Sequence, residues 1–296
     1  MWPFSKKRTI AQSGILAGYT DHHSHILPGV DDGVESMDEA LRILATYEAA
    51  GVKELWLTPH IMEDIPNIPE KLQARFAELT ARYKGSITLH LAAEYMIDNH
   101  LRSLLMNCHS VTNNCPSFKR GTSNAGSIAE GVKETTTKLR PVSEGRWHEQ
   151  GEVTEGSNHP QGEGVTLLPI GTKGNHLLVE TSYFNPPMRL HETLRQIKSL
   201  GYHPLLAHPE RYMYMDEEEY IRLHQEGVKF QLNLPSICGG YGNTVKKRAQ
   251  WLLKKGLYDV IGSDTHCEEG VEYLLGSSIR KNENNLLTKL QTAPLL

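Results

Sequence analysis

Three histidines and three aspartates lie within thirteen residues near the start of the chain, in Asp21-His22-His23-Ser24-His25-Ile26-Leu27-Pro28-Gly29-Val30-Asp31-Asp32-Gly33. His23 and His25 are two residues apart, and side chains at i and i+2 of an extended strand point to the same side. Both imidazoles would therefore face one point, which is the arrangement that a metal ion requires. The plainer interpretation is a polar loop that contains histidines, so the rest of the chain has to supply further ligands.

The elements that would position such ligands alternate along the chain, with short apolar segments followed by amphipathic ones. This alternation predicts parallel strands joined by helices. Seven strands are predicted, over residues 19–26, 52–57, 87–93, 176–180, 203–207, 228–233 and 258–261. Seven such units favour a closed barrel of the (β/α) type over an open, doubly wound sheet. No G-x-G-x-x-G fingerprint follows the first strand, which argues against a dinucleotide site.

Local signals place the helices between these strands. Ser36 and Glu39 form a capping-box pattern that begins a helix, and Gly51 ends it. Pro69 suits the first turn of the next helix, which is predicted to continue to Gly85. Further helices are predicted over residues 188–200, 216–225, 245–255 and 278–290.

Six of the seven predicted strands end in, or are followed by, residues that can bind metals. Nine potential ligands result: His23, His25, Asp32, His60, Glu94, Glu180, His208, Asp264 and His266. In a parallel barrel the carboxyl ends of all strands meet on one face, so these side chains would converge there. Nine ligands suffice for more than one ion, and bridging carboxylates hold paired cations about 3.5–4 Å apart in multi-metal hydrolases. His22 would point away from His23 and is predicted either to pack or to support a ligand from outside the site, rather than to bind a metal itself.

Composition and charge argue against several classes of protein. The 296 residues are 39% hydrophobic and 22% charged, and the net charge of -4 disfavours sequence-independent nucleic-acid binding. No apolar run of about 18 residues predicts a membrane span, and no signal-peptide h-region follows the basic N-terminus, so we expect a cytoplasmic location. The four cysteines, Cys108, Cys115, Cys238 and Cys267, form neither zinc-ribbon pairs nor a disulfide framework.

Residues 107–174 break the periodic pattern. This segment is rich in Gly, Ser, Thr, Asn and Glu and has few large apolar residues, so it cannot bury enough surface to offset its ordering entropy. We predict a long disordered insertion after the third strand, within a single domain that spans residues 1–296.

The strand-end residues also carry a resemblance to a known family. The motifs are the 21–33 stretch, Thr58-Pro59-His60, Ala92-Ala93-Glu94-Tyr95, Leu178-Val179-Glu180, Ala207-His208-Pro209-Glu210-Arg211-Tyr212 and Gly262-Ser263-Asp264-Thr265-His266. In this order they resemble the polymerase-and-histidinol-phosphatase (PHP) superfamily. Within it they are most similar to the metal-dependent protein-tyrosine phosphatases of bacterial capsular and exopolysaccharide clusters. The resemblance covers residues 14–106 and 175–290 and implies a distorted (β/α)7 barrel.

The resemblance also implies a site for three divalent cations, with manganese expected first and iron or zinc as alternatives. One ion would be held by His23, His25, Glu94 and Asp264, a second by Asp32, His60 and His266, and a third by Glu94 as a bridge with Glu180 and His208. Arg211 matches the family's arginine that contacts the phosphate, and its planar fork suits a phosphoryl group. Asp32 or His60 would protonate the leaving tyrosine oxygen after water attacks phosphorus.

By the same resemblance, the substrate would be the phosphotyrosine-containing tail of a bacterial tyrosine kinase, met near the inner face of the membrane. Family members usually have a much shorter connection after the third strand. The helix after Asp98 is therefore expected to be replaced by the insertion, which would expose apolar surface on the sheet. Beyond His266, the acids Glu268 and Glu269 would repel phosphate and weaken the activity.

Two other functions stay open on the sequence alone. One is a small-molecule phosphatase, such as a histidinol-phosphate phosphatase, which would have a closed pocket where a protein tail needs an open mouth. The other is an inactive barrel that binds the kinase. A cysteine-dependent phosphatase is disfavoured, because its Cys-x5-Arg loop is matched only by Cys115-Pro116-Ser117-Phe118-Lys119-Arg120, which is one residue too short.

Overall fold

Parallel strands and helices alternate through the computed structural model, which describes residues 8–109, 165–171 and 173–291. The strands are β1 (Arg8–Thr9), β2 (Thr20–Asp21), β3 (Glu54–Leu57), β4 (His60–Ile61), β5 (Thr88–Leu91), β6 (Glu94–Met96), β7 (His176–Glu180), β8 (His203–Ala207), β9 (Lys229–Asn233), β10 (Val260–Gly262) and β11 (Ser278–Ile279). The α-helices are α1 (Ile10–Ser13), α2 (Met37–Ala50), α3 (Pro69–Arg82), α4 (Asn99–His109), α5 (Leu190–Ser199), α6 (Glu217–Gln225), α7 (Leu234–Cys238), α8 (Gly242–Lys255), α9 (Glu268–Gly276) and α10 (Lys281–Gln291), with a 3-10 turn over Pro209–Arg211. Most of the predicted insertion, and the 115–120 segment, lie outside the described residues.

Two parallel sheets contain the strands that were predicted. Their orders are β10-β9-β8-β7-β6-β4 and β2-β3-β5, and a separate antiparallel pair joins β1 to β11. The two parallel sheets adjoin, because β3 leads into β4 across two residues and β5 leads into β6 across two more. At this junction the Ala92 N–H donates to the Leu57 carbonyl at 2.9 Å, and the Glu94 N–H donates to the Pro59 carbonyl at 3.1 Å. The mixed α/β class with parallel strands is therefore confirmed.

Hydrogen bonds also join β10 to the segment that follows β2. The His22 N–H donates to the Ile261 carbonyl at 3.1 Å, and the Asp264 N–H donates to the His23 carbonyl at 2.8 Å. The first strand predicted over residues 19–26 is too long, because only Thr20–Asp21 forms a regular ladder with β3. After Asp21 the backbone forms hydrogen bonds with β10 and with the segments that follow β10 and β3.

Both faces of the parallel strands are buried. Leu177 and Val179 of β7 belong to a large apolar cluster that includes helix residues, whereas Leu178 joins a smaller cluster with Trp56 and other strand residues. Successive residues of a strand point to opposite faces, so helices cover one face while strand side chains fill the other. Glu180 lies two residues beyond Leu178 and shares that second face at the point where β7 ends.

The local signals located the first helices well. The Ser36 hydroxyl accepts the N–H of Glu39 at 3.2 Å and caps α2, and Gly51 ends the helix with a φ of 99°. Pro69 begins α3 as predicted, although α3 ends at Arg82, before the predicted Gly85. Within the described ranges, no helix is both long and apolar enough to cross a bilayer.

Helix α4 contradicts the expectation that no helix follows Asp98. The Asp98 side chain accepts the Leu101 N–H at 2.9 Å, and Leu101 and Leu105 are buried in the main core. Where the described residues resume at position 165, the Leu168 N–H donates to the hydroxyl of Tyr95 at 2.9 Å. The packed fold therefore reaches further into the predicted insertion than its bounds of 107–174 allow.

Candidate metal centre

Nine polar side chains converge in a cluster, to which Glu180 comes from the end of β7, His60 and Glu94 from the first residues of β4 and β6, and the others from the segments that follow strands. They are the nine residues that the sequence marked as ligands: His23, His25, Asp32, His60, Glu94, Glu180, His208, Asp264 and His266. Each belongs to at least one group of three or four side chains whose ligand atoms lie within 4.8 Å of one another. Their role as metal ligands stays a prediction.

Glu94 lies at the centre of this cluster and is fully buried. Its Oε2 atom is 3.1 Å from Nε2 of His23 and 3.2 Å from Nε2 of His25. The same oxygen is 3.3 Å from Nδ1 of His60, and Oε1 is 3.2 Å from Nε2 of His208. A carboxylate that faces possible ligands with both oxygens is suited to bridge cations.

The donor set fits divalent cations better than it fits hydrogen bonding alone. The Nε2 atoms of His23 and His25 are 3.0 Å apart, a distance at which two nitrogen atoms satisfy each other only by sharing a proton. Among the described residues, Nδ1 of His60 and Oε1 of Glu94 are buried without a hydrogen-bond partner. Imidazole nitrogen and carboxylate oxygen are the ligand types of zinc, iron and manganese sites, so the residues present fit a metal centre.

Burial, the nearby histidines and, for Glu180, repulsion by the other carboxylates shift the pKa values of the buried carboxylates. Burial favours the neutral form of Glu94, but His23 and His208 hold its pKa well below its usual range. Burial, reinforced by the charges of Glu94 and Asp264, raises the pKa of Glu180 well above its usual range. The pKa of Asp264 falls to about 2 against the effect of burial, chiefly because of His23 and His208. Three carboxylates this close together favour added positive charge.

The histidines divide into two classes by their surroundings. Burial opposes protonation of His23 and His25, but nearby carboxylates raise the pKa of both. Burial lowers the pKa of His60 to about 4 and also lowers that of His208. His22 places Nδ1 3.2 Å from the carbonyl of Ile261 and is not part of the groups of possible ligands found among the described residues.

Asp32 and His266 lie at the more exposed side of the cluster. The side chain of Asp32 is 64% exposed, and its Oδ1 atom is 3.4 Å from Nε2 of His60 and 3.6 Å from Nε2 of His266. The ring of His266 stacks on that of His25 with 4.1 Å between the ring centres. A carboxylate that is both near the cluster and open to solvent can meet a substrate.

The guanidinium of Arg211 is held between two tyrosine rings beside the cluster. Its Cζ atom lies 4.3 Å from the ring centre of Tyr183 and 4.2 Å from that of Tyr241. Nη1 donates to Oδ2 of Asp264 at 2.8 Å. Burial favours the neutral form, but Asp264 raises the pKa of Arg211 further, so the side chain stays charged. The contacts with the two tyrosine rings and the ion pair with Asp264 together fix the plane of the guanidinium group.

A cleft of about 780 Å³ opens from the cluster to solvent. Apolar and aromatic side chains line it beside the polar ones, among them Met62, Phe184, Tyr241 and Tyr273. Glu268 and Glu269, which were expected to repel phosphate, are not among the described residues that line the cleft. Their neighbours Cys267 and Gly270 do line it. The side chain of Glu268 instead accepts from Nε of Arg42 at 3.0 Å.

Three buried or partly buried polar residues that the sequence did not single out support the cluster. Oδ2 of Asp31 is 2.8 Å from Nδ1 of His25 and accepts the N–H of His60 at 3.0 Å. The other two are Gln231 and Asn233 of β9, the strand that ends in none of the predicted ligands. In the sequence of β9, Lys229, Gln231 and Asn233 alternate with apolar residues, a pattern that by itself does not distinguish buried amides from exposed polar residues.

Comparison with known proteins was decisive for the family. Residues 19–117 and 161–284 match the family described as "Capsular polysaccharide synthesis, CpsB/CapC". The chain belongs to the CpsB/CapC family. The resemblance predicted from the strand-end motifs is thereby confirmed.

Members of the CpsB/CapC family with assigned names match most of the chain. The putative tyrosine-protein phosphatase CapC of Staphylococcus aureus is 23% identical over 257 residues, which are 86% of this chain and 80% of that protein. The tyrosine-protein phosphatase CpsB of Streptococcus pneumoniae is 23% identical over 253 residues, 83% of this chain and 82% of that one. A structure from a study of Bacillus subtilis YwqE and S. pneumoniae CpsB, described as unique metal-dependent tyrosine phosphatases, matches with a TM-score of 0.60. It is 18% identical and covers 93% of this chain and 96% of that chain, which shows a shared fold.

Proposed function

We propose that this chain is a metal-dependent protein-tyrosine phosphatase. The observation that carries the proposal is the convergence of nine nitrogen and oxygen ligands beside the guanidinium of Arg211. A cation site beside a fixed positive fork is suited to hydrolysis of a phosphate ester, because both stabilise the charge on the phosphoryl oxygens. The relatives CapC, CpsB and YwqE are named tyrosine-protein phosphatases, which agrees with the prediction from the sequence.

We assign the ligands to three ions, manganese in the first place and iron or zinc as alternatives. The sets are His23, His25, Glu94 and Asp264; Asp32, His60 and His266; and Glu94, Glu180 and His208. The compact groups of ligand atoms support these sets without coinciding with them, since His25 also approaches the second set and His208 also approaches His23 and Asp264. Overlap of this kind is what shared, bridging ligands produce.

The strand arrangement that we propose is a distorted (β/α)7 barrel. Strand pairing is continuous within each of the two parallel sheets, β2-β3-β5 and β4-β6-β7-β8-β9-β10. The hydrogen bonds at their junction, and those between β10 and the segment after β2, support closure of a barrel. We also propose one domain over residues 1–296, interrupted by the insertion. In support, the described residues on both sides of the gap fall in the same compact unit.

Divalent cations, when bound, would supply a hydroxide near neutral pH and Lewis-acid stabilisation of the phosphoryl oxygens. The chain's own residues then orient the ester. Arg211 binds phosphoryl oxygens through the guanidinium nitrogens that Asp264 does not engage, while Tyr183 and Tyr241 hold its plane. The proton lost by the attacking water would pass through Asp32 or His60 to the leaving phenolate, and Asp32 is the more accessible of the two. No covalent phosphoenzyme is needed.

The cleft supports a protein substrate over a small metabolite. Phe184, Tyr241 and Tyr273 line it and are 74%, 39% and 49% exposed, whereas a closed metabolite pocket would bury its lining. A tyrosine side chain on a peptide can enter such a mouth with its ring against apolar walls. We therefore propose that the substrate is the phosphotyrosine tail of a bacterial tyrosine kinase of capsule synthesis, met in the cytoplasm near the inner face of the membrane.

Turnover of two substrates tests this function. With manganese present, a phosphotyrosine peptide should be hydrolysed with a higher kcat/KM than histidinol phosphate. Preference for histidinol phosphate would overturn the protein-substrate proposal in favour of a metabolite phosphatase. Fewer than one bound metal ion per chain, together with no turnover of p-nitrophenyl phosphate, would instead support an inactive kinase-binding protein.

A further inference from the structure

Strand β9 provides none of the predicted metal ligands, yet it places two buried amides against the cluster. Gln231 and Asn233 are two residues apart on the strand, so they share one face, and both are fully buried. Each contacts a predicted ligand that comes from a different strand. Their hydrogen bonds therefore bear on how those ligands are oriented.

The carboxamide of Gln231 links His23 to His208. The backbone N–H of His208 donates to Oε1 at 3.0 Å, and Nε2 donates to the carbonyl of Leu232 at 2.6 Å. A backbone N–H only donates and a carbonyl only accepts, so the two ends of the amide cannot be exchanged. Nδ1 of His23 lies 3.0 Å from the same Oε1 and must donate to it.

This bond selects one tautomer of His23. With the proton on Nδ1, the lone pair of Nε2 faces Glu94 at 3.1 Å and the rest of the cluster. Metal-binding histidines generally donate their second ring nitrogen to an oxygen in this way, which fixes the ring and its tautomer. Close packing holds the pair, since a Cβ on Gly262 would lie 2.5 Å from Cβ of His23 and 2.7 Å from Nε2 of Gln231.

Asn233 acts in the same manner on Asp264. Its Nδ2 atom donates to Oδ2 of Asp264 at 2.9 Å, and Nη1 of Arg211 donates to the same oxygen at 2.8 Å. The other oxygen, Oδ1, faces Nε2 of His23 at 3.4 Å. Asp264 has a φ of 54°, a conformation that non-glycine residues seldom adopt and that surrounding contacts must hold.

We propose that Gln231 and Asn233 are positioning residues of the metal centre: Gln231 sets the tautomer of His23, and Asn233 sets which oxygen of Asp264 faces the cluster. This inference rests on the proposed metal function. The loss of such an outer hydrogen bond typically lowers metal affinity by about 10–100-fold. The fold itself should survive, because a methionine at position 231 or a leucine at position 233 keeps a similar volume.

Two measurements on chelator-treated protein test the proposal. Calorimetric titration with Mn²⁺ gives the affinity, and long-range ¹H–¹⁵N NMR, at a pH where the ring is neutral, gives the tautomer of His23. Gln231→Met should lose the Nδ1–H tautomer, and Gln231→Met and Asn233→Leu should each bind Mn²⁺ about 10–100-fold more weakly. Gln231→Glu keeps the acceptor oxygen for Nδ1 of His23 but loses the donor to the carbonyl of Leu232, so it should keep the Nδ1–H tautomer. Gln250→Met serves as the matched control. It removes a hydrogen bond from α8 to Glu283 of α10, and neither helix provides a predicted ligand.

The outcomes separate this inference from the function beneath it. A wild-type His23 with its proton on Nε2, or folded Gln231→Met and Asn233→Leu variants that bind Mn²⁺ as tightly as the wild type, would overturn the positioning roles. A wild-type protein that binds no Mn²⁺, Fe²⁺ or Zn²⁺ would overturn the metal function itself and with it the roles proposed here.

Discussion

Among single residues, Glu94 is the one on which the metal centre depends most. Its two oxygens face the rings of His23, His25, His60 and His208 at 3.1 to 3.3 Å. We expect Glu94→Ala to abolish turnover, because the variant removes the carboxylate that the ions would share, and His25→Ala should do the same. Steady-state hydrolysis of p-nitrophenyl phosphate with manganese measures the loss. Glu218→Ala, at an exposed position of α6, is the control, and full activity in either site variant would rule out the ligand assignment.

Arg211 allows a test of shape as distinct from charge. Lysine at this position keeps the positive charge but loses the planar fork and its contacts with Tyr183 and Tyr241. We expect Arg211→Lys to lower kcat/KM for a phosphotyrosine peptide by about 10–100-fold, equivalent to about 1.4–2.7 kcal/mol. Arg222→Lys, on the exposed side of α6, should leave kcat/KM unchanged. An Arg211→Lys variant with the kcat/KM of the wild type would show that a positive charge at this position suffices for activity.

The predicted ligands and their supports differ in how far the sequence reveals them. His60, Glu94, Glu180 and His208 each follow or end an apolar stretch of the sequence, and parallel strands bring the ends of such stretches to one edge. Gln231 carries no comparable signal, because its partner His23 is 208 residues away and only the folded chain brings them together. Buried amides become visible as part of the site only when their hydrogen bonds are known.

At the scale of elements, residues 165–171, where the described chain resumes, contact the strands of the fold. The Leu168 N–H donates to the hydroxyl of Tyr95 at 2.9 Å, and its carbonyl accepts the N–H of Ala93 at 3.1 Å. Tyr95→Phe would leave the buried N–H of Leu168 without a partner and should lower the free energy of unfolding by about 1–3 kcal/mol. Urea denaturation should show a lower midpoint with an unchanged m-value. An unchanged midpoint would mean that this contact does not stabilise the fold.

Helix α4 shows why one element was missed. The signals were present, with Asp98 as the cap and apolar residues at Leu101, Leu104, Leu105 and Cys108 in helical spacing. The polar sequence that follows hid these signals, because the insertion predicted over residues 107–174 overlaps the last turn of α4 and was expected to replace this helix. Strands β7 and β8 were predicted with their correct bounds, since each is a short apolar run between turn residues.

For the whole molecule, all nine predicted ligands, as well as Arg211, lie outside residues 110–164. A chain in which residues 115–160 are replaced by a short glycine-serine linker should therefore keep its manganese-dependent turnover within a few-fold, because loop-closure entropy changes slowly with length. The comparison uses kcat/KM with p-nitrophenyl phosphate and thermal melting of both chains. Loss of activity in a shortened chain that still melts cooperatively would assign a functional role to the replaced residues.

The central claim is that cations bound by this cluster drive hydrolysis of phosphotyrosine. Its most direct test is the turnover of a phosphotyrosine peptide by the intact chain, measured after treatment with a chelator and again after manganese is returned, with bound metal counted at each step. We predict no turnover without metal and full recovery as ions rebind to the wild type but not to Glu94→Ala. Undiminished turnover in the metal-free protein, or recovery in Glu94→Ala equal to that of the wild type, would contradict the account.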